Sequence, residues 1–244
     1  MKKILKKLRI NFVKEIVELN ENLVFNKRII KYYKNELSDK LELVIDVGVN
    51  TGQSIDIFRK LDSECSVIGF EPNPDLFEML QKKYSKYPKI ELQQLGISNQ
   101  KGSRTFHENV LHSTSTFEEL NFDSDYLSRK AKILGVEKKE IVSKSYEVKT
   151  TTLCDYINAN CTSDVDILKI DTEGHEYHCL EGLFLDELKV KVKYIQIEEH
   201  NDDMYLNKKS FIEIQELLHK NGYAVEAKIS HGFGDFQEVV FKKK

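Results

Sequence analysis

At 244 residues, with 37 basic and 40 acidic side chains and a formal charge of −3, the chain is long enough for one large α/β domain and lacks the global positive excess that draws proteins to nucleic acid. Its four cysteines, Cys65, Cys154, Cys161 and Cys179, form no C-x-x-C pair and no zinc-finger spacing, which reads as reduced thiols. No apolar run is long enough to span a bilayer and no secretory signature opens the chain, so neither an integral membrane segment nor export is expected, and the expected location is cytoplasmic.

Residues 1–40 contain neither glycine nor proline, and Ile4, Leu5, Leu8, Phe12, Val13, Ile16 and Val17 recur at helical spacing. One or two helices are expected, forming an arm ahead of a main domain over 41–244. Such an arm can cover a ligand or supply the contact of a homodimer. The alternative is a membrane-surface helix carrying Lys2, Lys3, Lys6, Lys7 and Arg9 beside a lipid-linked substrate.

From Leu43 the chain alternates strand and helix, the pattern of a parallel sheet with right-handed crossovers. The apolar run Leu43 to Val47 predicts a buried strand, and the loop Gly48-Val49-Asn50-Thr51-Gly52 lets backbone N–H groups approach a ligand before a helix from about Gln53 to Lys60. A second strand, Val67 to Phe70, ends in Glu71-Pro72-Asn73-Pro74, where a carboxylate can accept from both hydroxyls of a ribose. The loop is not G-x-G-x-x-G and no Gly-Lys-Ser/Thr follows it, so NAD and ATP are disfavoured. An adenosine cofactor without phosphate remains, and S-adenosyl-L-methionine fits: Asp46 would face its cationic side, the Gly48 to Gly52 backbone its methionine part, and Glu71 its ribose. The competing reading makes Asp46 a turn cap and Glu71 a solvated charge.

A helix is expected from Pro74 to Tyr84 and a third strand from Ile90 to Leu95. Residues 102–152 then break the rhythm, with short strands at Ser103 to His107 and Tyr146 to Thr150 around the polar stretch Ser113 to Thr116, an insertion of the size of a substrate cap. The pattern resumes with a helix from Leu153 to Asn158, a strand from Val165 to Ile170 and a helix through Glu176 to Glu181. A strand from Tyr194 to Glu198, a helix from Ser210 to Lys220 stopped by Gly222, and strands near Tyr223 to Ile229 and Phe236 to Phe241 complete the chain.

Lys169, Asp171 and Glu173 surround the end of the fourth core strand, and Glu198, Glu199 and His200 the end of the fifth. Ligands of open α/β sheets bind at such carboxyl ends, so these charges crowd the expected reaction site. Capping of the following helix is the plain alternative for Asp171 and Glu173, a structural hydrogen bond that for His200, and a mutual salt bridge that for Lys169 and Glu198. Oxygen ligands also leave magnesium conceivable at Asp171, Glu173 and Glu198. His175 and His178 fall one residue short of the H-E-x-x-H zinc spacing, with no third ligand evident.

Four elements in order, Asp46 to Gly52, Phe70 to Pro74, Lys169 to Glu176 and Glu198 to His200, resemble the D-x-G-x-N-x-G, F-E-P-x-P, K-x-D-x-E-G-x-E and E-x-H pattern of the FkbM family of S-adenosylmethionine-dependent methyltransferases. The resemblance covers about residues 43–225. It implies a Rossmann-like, seven-stranded class I methyltransferase sheet with helices on both faces, and methyl transfer mostly to hydroxyls of sugars, glycans or secondary metabolites. The cofactor set on this reading is Asp46, Gly48, Asn50, Thr51, Gly52, Glu71, Pro72, Asn73, Gly96, Ile97 and Asp171. Where many methyltransferases place an acid after strand three, this chain has Leu95-Gly96-Ile97-Ser98, so adenine is expected to rest on backbone groups and on Pro72 or Ile97. Asp171 is the expected general base and His200 the second choice, with Lys169 and Glu198 orienting or tuning it. Two other classes compete: a nucleic-acid methyltransferase, against which Asp171-Thr172-Glu173-Gly174 stands in place of the usual (Asp/Asn/Ser)-Pro-Pro-(Tyr/Phe), and a non-catalytic nucleoside-binding module.

Overall fold

In the computed structural model, which describes residues 2–37, 40–199, 202–206, 208–231 and 236–244, strand β1 (Leu43–Val47) is buried along its whole length in the interior of a seven-stranded sheet. Beside it lie β2 (Ser66–Phe70) and β3 (Ile90–Gln93) on one side; on the other come β7 (Val165–Ile170), β8 (Val192–Glu199), β10 (Gln237–Lys243) and β9 (Tyr223–Ser230). The strands run parallel except β10, which is antiparallel to both its neighbours. Strand order reverses between β1 and β7, which opens a crevice at their carboxyl ends. Seven strands in this order, with helices on both faces, make the Rossmann-like sheet that the sequence predicts.

Side-chain alternation assigns the two faces. Ile45, Leu168, Ile170 and Ile195 pack against Ile157, Leu180 and Leu218 of helices α6 (Leu153–Asn160), α7 (Glu176–Leu183) and α8 (Phe211–Lys220). Val44, Ile167, Tyr194 and Val240 pack against Ile29, Tyr33, Phe58 and Leu80 of α2 (Asn26–Glu36), α3 (Gln53–Leu61) and α4 (Pro74–Tyr84). Each such buried aliphatic or aromatic side chain contributes about 1.5–3 kcal/mol. Helix α2 is therefore a layer of the sheet, and its Tyr33 hydroxyl donates to Gln196 Oε1 at 2.8 Å.

Ahead of α2, helix α1 (Lys2–Asn20) and a π-helical turn at Glu21–Phe25 lead across the molecule. Arg9 donates to the carbonyls of Ile133 and Lys132, at 2.7 and 2.9 Å, and Lys6 pairs with Glu140 at 2.9 Å, so α1 is fastened to the insertion. No helix among the described residues is long and apolar enough to cross a membrane.

The insertion differs from its sequence reading. Strands β4 (Gly96–Ile97), β6 (Val142–Thr151) and β5 (Gly102–Asn109) form a separate three-stranded sheet, the third core strand stops at Gln93, and residues 125–134 form an unanticipated helix, α5 (Asp125–Leu134). Its marks are ordinary: Ser124 Oγ accepts from Leu127 N, Leu127, Ala131 and Leu134 face inward, and Gly135 closes the helix at φ +70°. A buried strut ties the insertion to the core. His175 Nδ1 meets Glu118 Oε1 at 2.6 Å and its Nε2 meets Ser98 Oγ at 3.0 Å. Glu118 thereby completes a cluster with His175 and His178, but both nitrogens of His175 are already engaged inside the protein. Glu118→Ala strands one of those nitrogens and is expected to lower unfolding free energy by about 1–3 kcal/mol in urea titrations; an unchanged value would deny the strut any structural role.

Candidate functional site

Strand register sets a polar row into the sheet face under α2. Asp46 of β1 lies beside Lys169 of β7, and Lys169 beside Gln196 of β8. Two residues further along, on the same face, come Asp171 and the cross-strand pair Glu198 and Glu238. Lys169 Nζ donates to Asp171 Oδ2 at 2.8 Å. Burial pulls this ammonium's pKa down, but Asp171, Glu238 and Asp46 outweigh it and hold it above the ordinary lysine range. The salt bridge considered between Lys169 and Glu198 is thus replaced by one to Asp171, two residues along on its own strand end.

Around the first glycine loop, backbone geometry explains the residue types. Gly48 has φ +88°, and a Cβ there would stand 1.9 Å from the Asp171 carbonyl oxygen, so this glycine lets two strand ends touch. Asn50 adopts φ +52°, a left-handed conformation that asparagine tolerates, and its N–H donates to Glu71 Oε2 at 2.7 Å. Glu71 Oε1 accepts from Asn73 N at 2.9 Å. Burial pushes the Glu71 carboxyl up to about 7, against the pull of these two donors.

The loop after β7 is clamped from within. Glu176, 2% exposed, accepts at Oε1 from the backbone N–H groups of Thr172 and Gly174, at 3.0 and 3.1 Å. Glu173 stands at φ +55°, a left-handed conformation costing a residue of its type about 1–3 kcal/mol, and Tyr205 donates to its Oε2 at 3.1 Å. Glu176, the last residue of the K-x-D-x-E-G-x-E element, thus holds Thr172 to Gly174 in place.

One cavity of about 960 Å³ joins these elements. Gly48, Asn50, Glu71, Pro72, Gly96 and Ile97 line one part; Lys169, Asp171, Glu173 and Glu198 line another. Of the residues assigned to the cofactor, Asp46, Thr51, Gly52 and Asn73 do not reach the wall. Asp46 is fully buried as a counter-charge to Lys169, takes a hydrogen bond from Ser54 Oγ, and has its pKa raised by burial against those two. The Thr51 carbonyl accepts from Lys83 at 2.9 Å, Gly52 opens α3 at φ +85° with its carbonyl on Tyr84, and Asn73 Oδ1 caps α4 through Asp75 N and Leu76 N. His200 lies outside the described residues.

Two wall residues, Glu238 and His231, went unrecognised in the sequence. Glu238 is 2% exposed, and its Oε2 has no hydrogen-bond partner among the described residues. Burial pushes its pKa up to about 8; Lys169 opposes and Glu198 adds to the rise. A glutamate in the apolar run of Gln237–Lys243 was the available signal. His231 Nε2 stands 3.6 Å from Glu198 Oε1 and 3.9 Å from Glu238 Oε1, its ring stacked on Phe25. The insertion supplies Ser113, Thr114, Tyr126 and Lys130, and the arm Val13 and Ile16.

The wall suits an adenosine ligand. Asn50 Oδ1 is buried with no donor among the described residues, and each Glu71 oxygen that takes one N–H keeps a lone pair, so hydroxyl and ammonium donors would complete both. S-adenosylmethionine carries such donors.

The likeness to known proteins agrees with this geometry. The hexuronic acid methyltransferase AglP of Haloferax volcanii is 22% identical over 166 residues, covering 68% of this chain and 59% of that protein, so the chain spans less than two thirds of that relative's length. A magnesium protoporphyrin IX methyltransferase (ChlM) from Synechocystis PCC 6803, solved with bound SAM, superposes with a TM-score of 0.53 at 11% identity over 96% of this chain and 85% of that one, a likeness of fold. The family model described as the methyltransferase FkbM domain matches residues 46–225, a stretch holding the glycine loop, Glu71, the clamped β7 loop and Glu198. On that match over most of its length, the chain belongs to the FkbM family of methyltransferases.

Proposed function

We propose that the chain moves a methyl group from S-adenosylmethionine to a hydroxyl of a sugar or glycan, or of a similarly hydroxylated secondary metabolite. The observation carrying this reading is that the Glu71 seat and the acids after β7 and β8 open into one cavity. Membership of the FkbM family supports the reaction, and the relative named as a hexuronic acid methyltransferase supports a sugar acceptor.

The cofactor, when bound, supplies a methyl group already activated on a sulfonium sulfur. Glu71 would accept from the ribose hydroxyls with the lone pairs its backbone donors leave, and Pro72 and Ile97 would enclose the adenine. At the other end Asp171 would take the acceptor's proton as its oxygen attacks. Lys169, held against one Asp171 oxygen, fixes that carboxylate and leaves the second oxygen for the acceptor. The polar groups of Ser113, Thr114 and Tyr126 would hold further hydroxyls of a polyol. Alignment in a closed cavity supplies a large part of the barrier reduction, and a positioned base adds about 10²- to 10⁴-fold.

Asp171→Asn is expected to lower kcat by about 10²- to 10⁴-fold in labelled-methyl assays on nucleotide-sugars and glycan fragments, with S-adenosylhomocysteine binding nearly unchanged by calorimetry. Full turnover by that variant would remove Asp171 from the role. Glu71→Ala should weaken S-adenosylhomocysteine binding by about 1–3 kcal/mol, the cost of losing a buried acceptor. Ionised Glu71 accepts both hydroxyls best, and burial keeps it protonated up to about 7. Wild-type affinity should therefore tighten as pH climbs from about 6 to about 8 and then level, whereas Glu71→Ala should lack that rise; parallel pH profiles would refute the ribose assignment.

A further inference from the structure

Asp171, Glu173 and Glu198 can each bring a carboxylate oxygen within 4.8 Å of the other two. These groups come from the ends of two adjacent strands and all face the cavity. Acid clusters are common on protein surfaces, and this one alone would say little. A second observation comes from another strand. Glu238, paired across from Glu198, turns its carboxyl to the same sheet face and cavity, is 2% exposed, and has an oxygen with no partner among the described residues. A buried carboxylate oxygen left without a donor is destabilising unless something cationic or protic meets it. Along this part of the wall Asp171, Glu173, Glu198, Asp202, Asp203 and Glu238 outnumber Arg129, Lys130 and Lys169. An excess of negative charge in an enclosed space calls for a cation.

We propose that Asp171, Glu173 and Glu198 bind a divalent cation of the magnesium or manganese type, on which the hydroxyls of the acceptor rest, with Glu238 beside it. The proposal deepens the methyltransferase reading of the same cavity and rests on it for the acceptor. Three carboxylate oxygens with open positions suit hard cations, which keep water or substrate oxygens in their remaining places. Such an ion orients a polyol and eases loss of its hydroxyl proton. Asp171, whose carboxylate has lone pairs beyond the one that accepts from Lys169, remains the base that takes the proton released from the acceptor oxygen. Lys130 is the protein's own counter-charge here: its side chain is enclosed near Glu173, Asp202 and Glu198, and its Nζ donates to the Met204 sulfur at 3.4 Å.

The test is titration of the full chain with manganese, followed by loss of the free-ion magnetic resonance signal, with S-adenosylhomocysteine binding measured in parallel. One ion per chain is expected with a Kd between about 10⁻⁵ and 10⁻³ M, weakened about 10- to 100-fold in Glu198→Gln and in Glu173→Gln while both variants still bind S-adenosylhomocysteine. Lys130→Met, which removes a competing charge, should bind manganese at least as tightly as the wild type. A wild-type chain that binds S-adenosylhomocysteine but takes up no manganese below about 5 mM overturns the cation site and leaves the methyltransferase reading standing. Equal manganese affinity in wild type and both glutamate variants overturns it as well. Loss of both ligands from folded wild-type protein would fell both readings.

Discussion

A single ammonium buried in the middle of a mixed sheet governs the arrangement of this protein. Lys169 sits on β7, the second of the two strands flanking the crevice, where desolvation of an unpaired charge costs about several kcal/mol. The cost is met by Asp46 on one neighbouring strand, Asp171 at the end of its own, and Glu238 two strands away. Because strand register fixes which residues are neighbours, one lysine dictates where three carboxyl groups must stand. The acids proposed for chemistry and those that serve the lysine are therefore drawn from one set, and on that proposal Asp171 belongs to both.

Around this centre the cavity is closed by chain segments distant in sequence. The sheet provides the floor, the insertion brings its hydroxyl-rich turn and α5, and the arm lays Val13, Ile16 and Phe25 across the opening. These parts are joined by a few directional contacts: Arg9 on the last carbonyls of α5, Asn20 on the His231 carbonyl at 2.9 Å, and His175 between Glu118 and Ser98. Apolar burial fixes the layers; these polar contacts fix how the layers meet.

Much of this was legible in the sequence because the relevant signals are local. β1 and α4 fall at the residues that periodicity and the Asn73-Pro74 start predict, and β7 does likewise, since a run of apolar residues ending in a charge has one reading in an α/β chain. Helix α5 was hidden by its polar surroundings, although its serine cap and closing glycine were present. What could not be read were relations across strands. Asp46 looks like a ligand group when seen beside a glycine loop, and only the register against Lys169 turns it into a buried counter-ion. Glu238 joins the acids of β8 because β10 runs backwards beside them, a placement that no spacing along the chain encodes.

The contact between Gly48 and the Asp171 carbonyl has a mechanical meaning. With no side chain between them, the glycine loop after β1 and the loop that carries the acids rest backbone on backbone, the second braced from behind by Glu176. A shift of one toward the other is resisted by this close approach. On the proposed reaction, a donor settling against the first loop would therefore press on the second, and the Asp171 carboxylate would be set in place as the cofactor arrives.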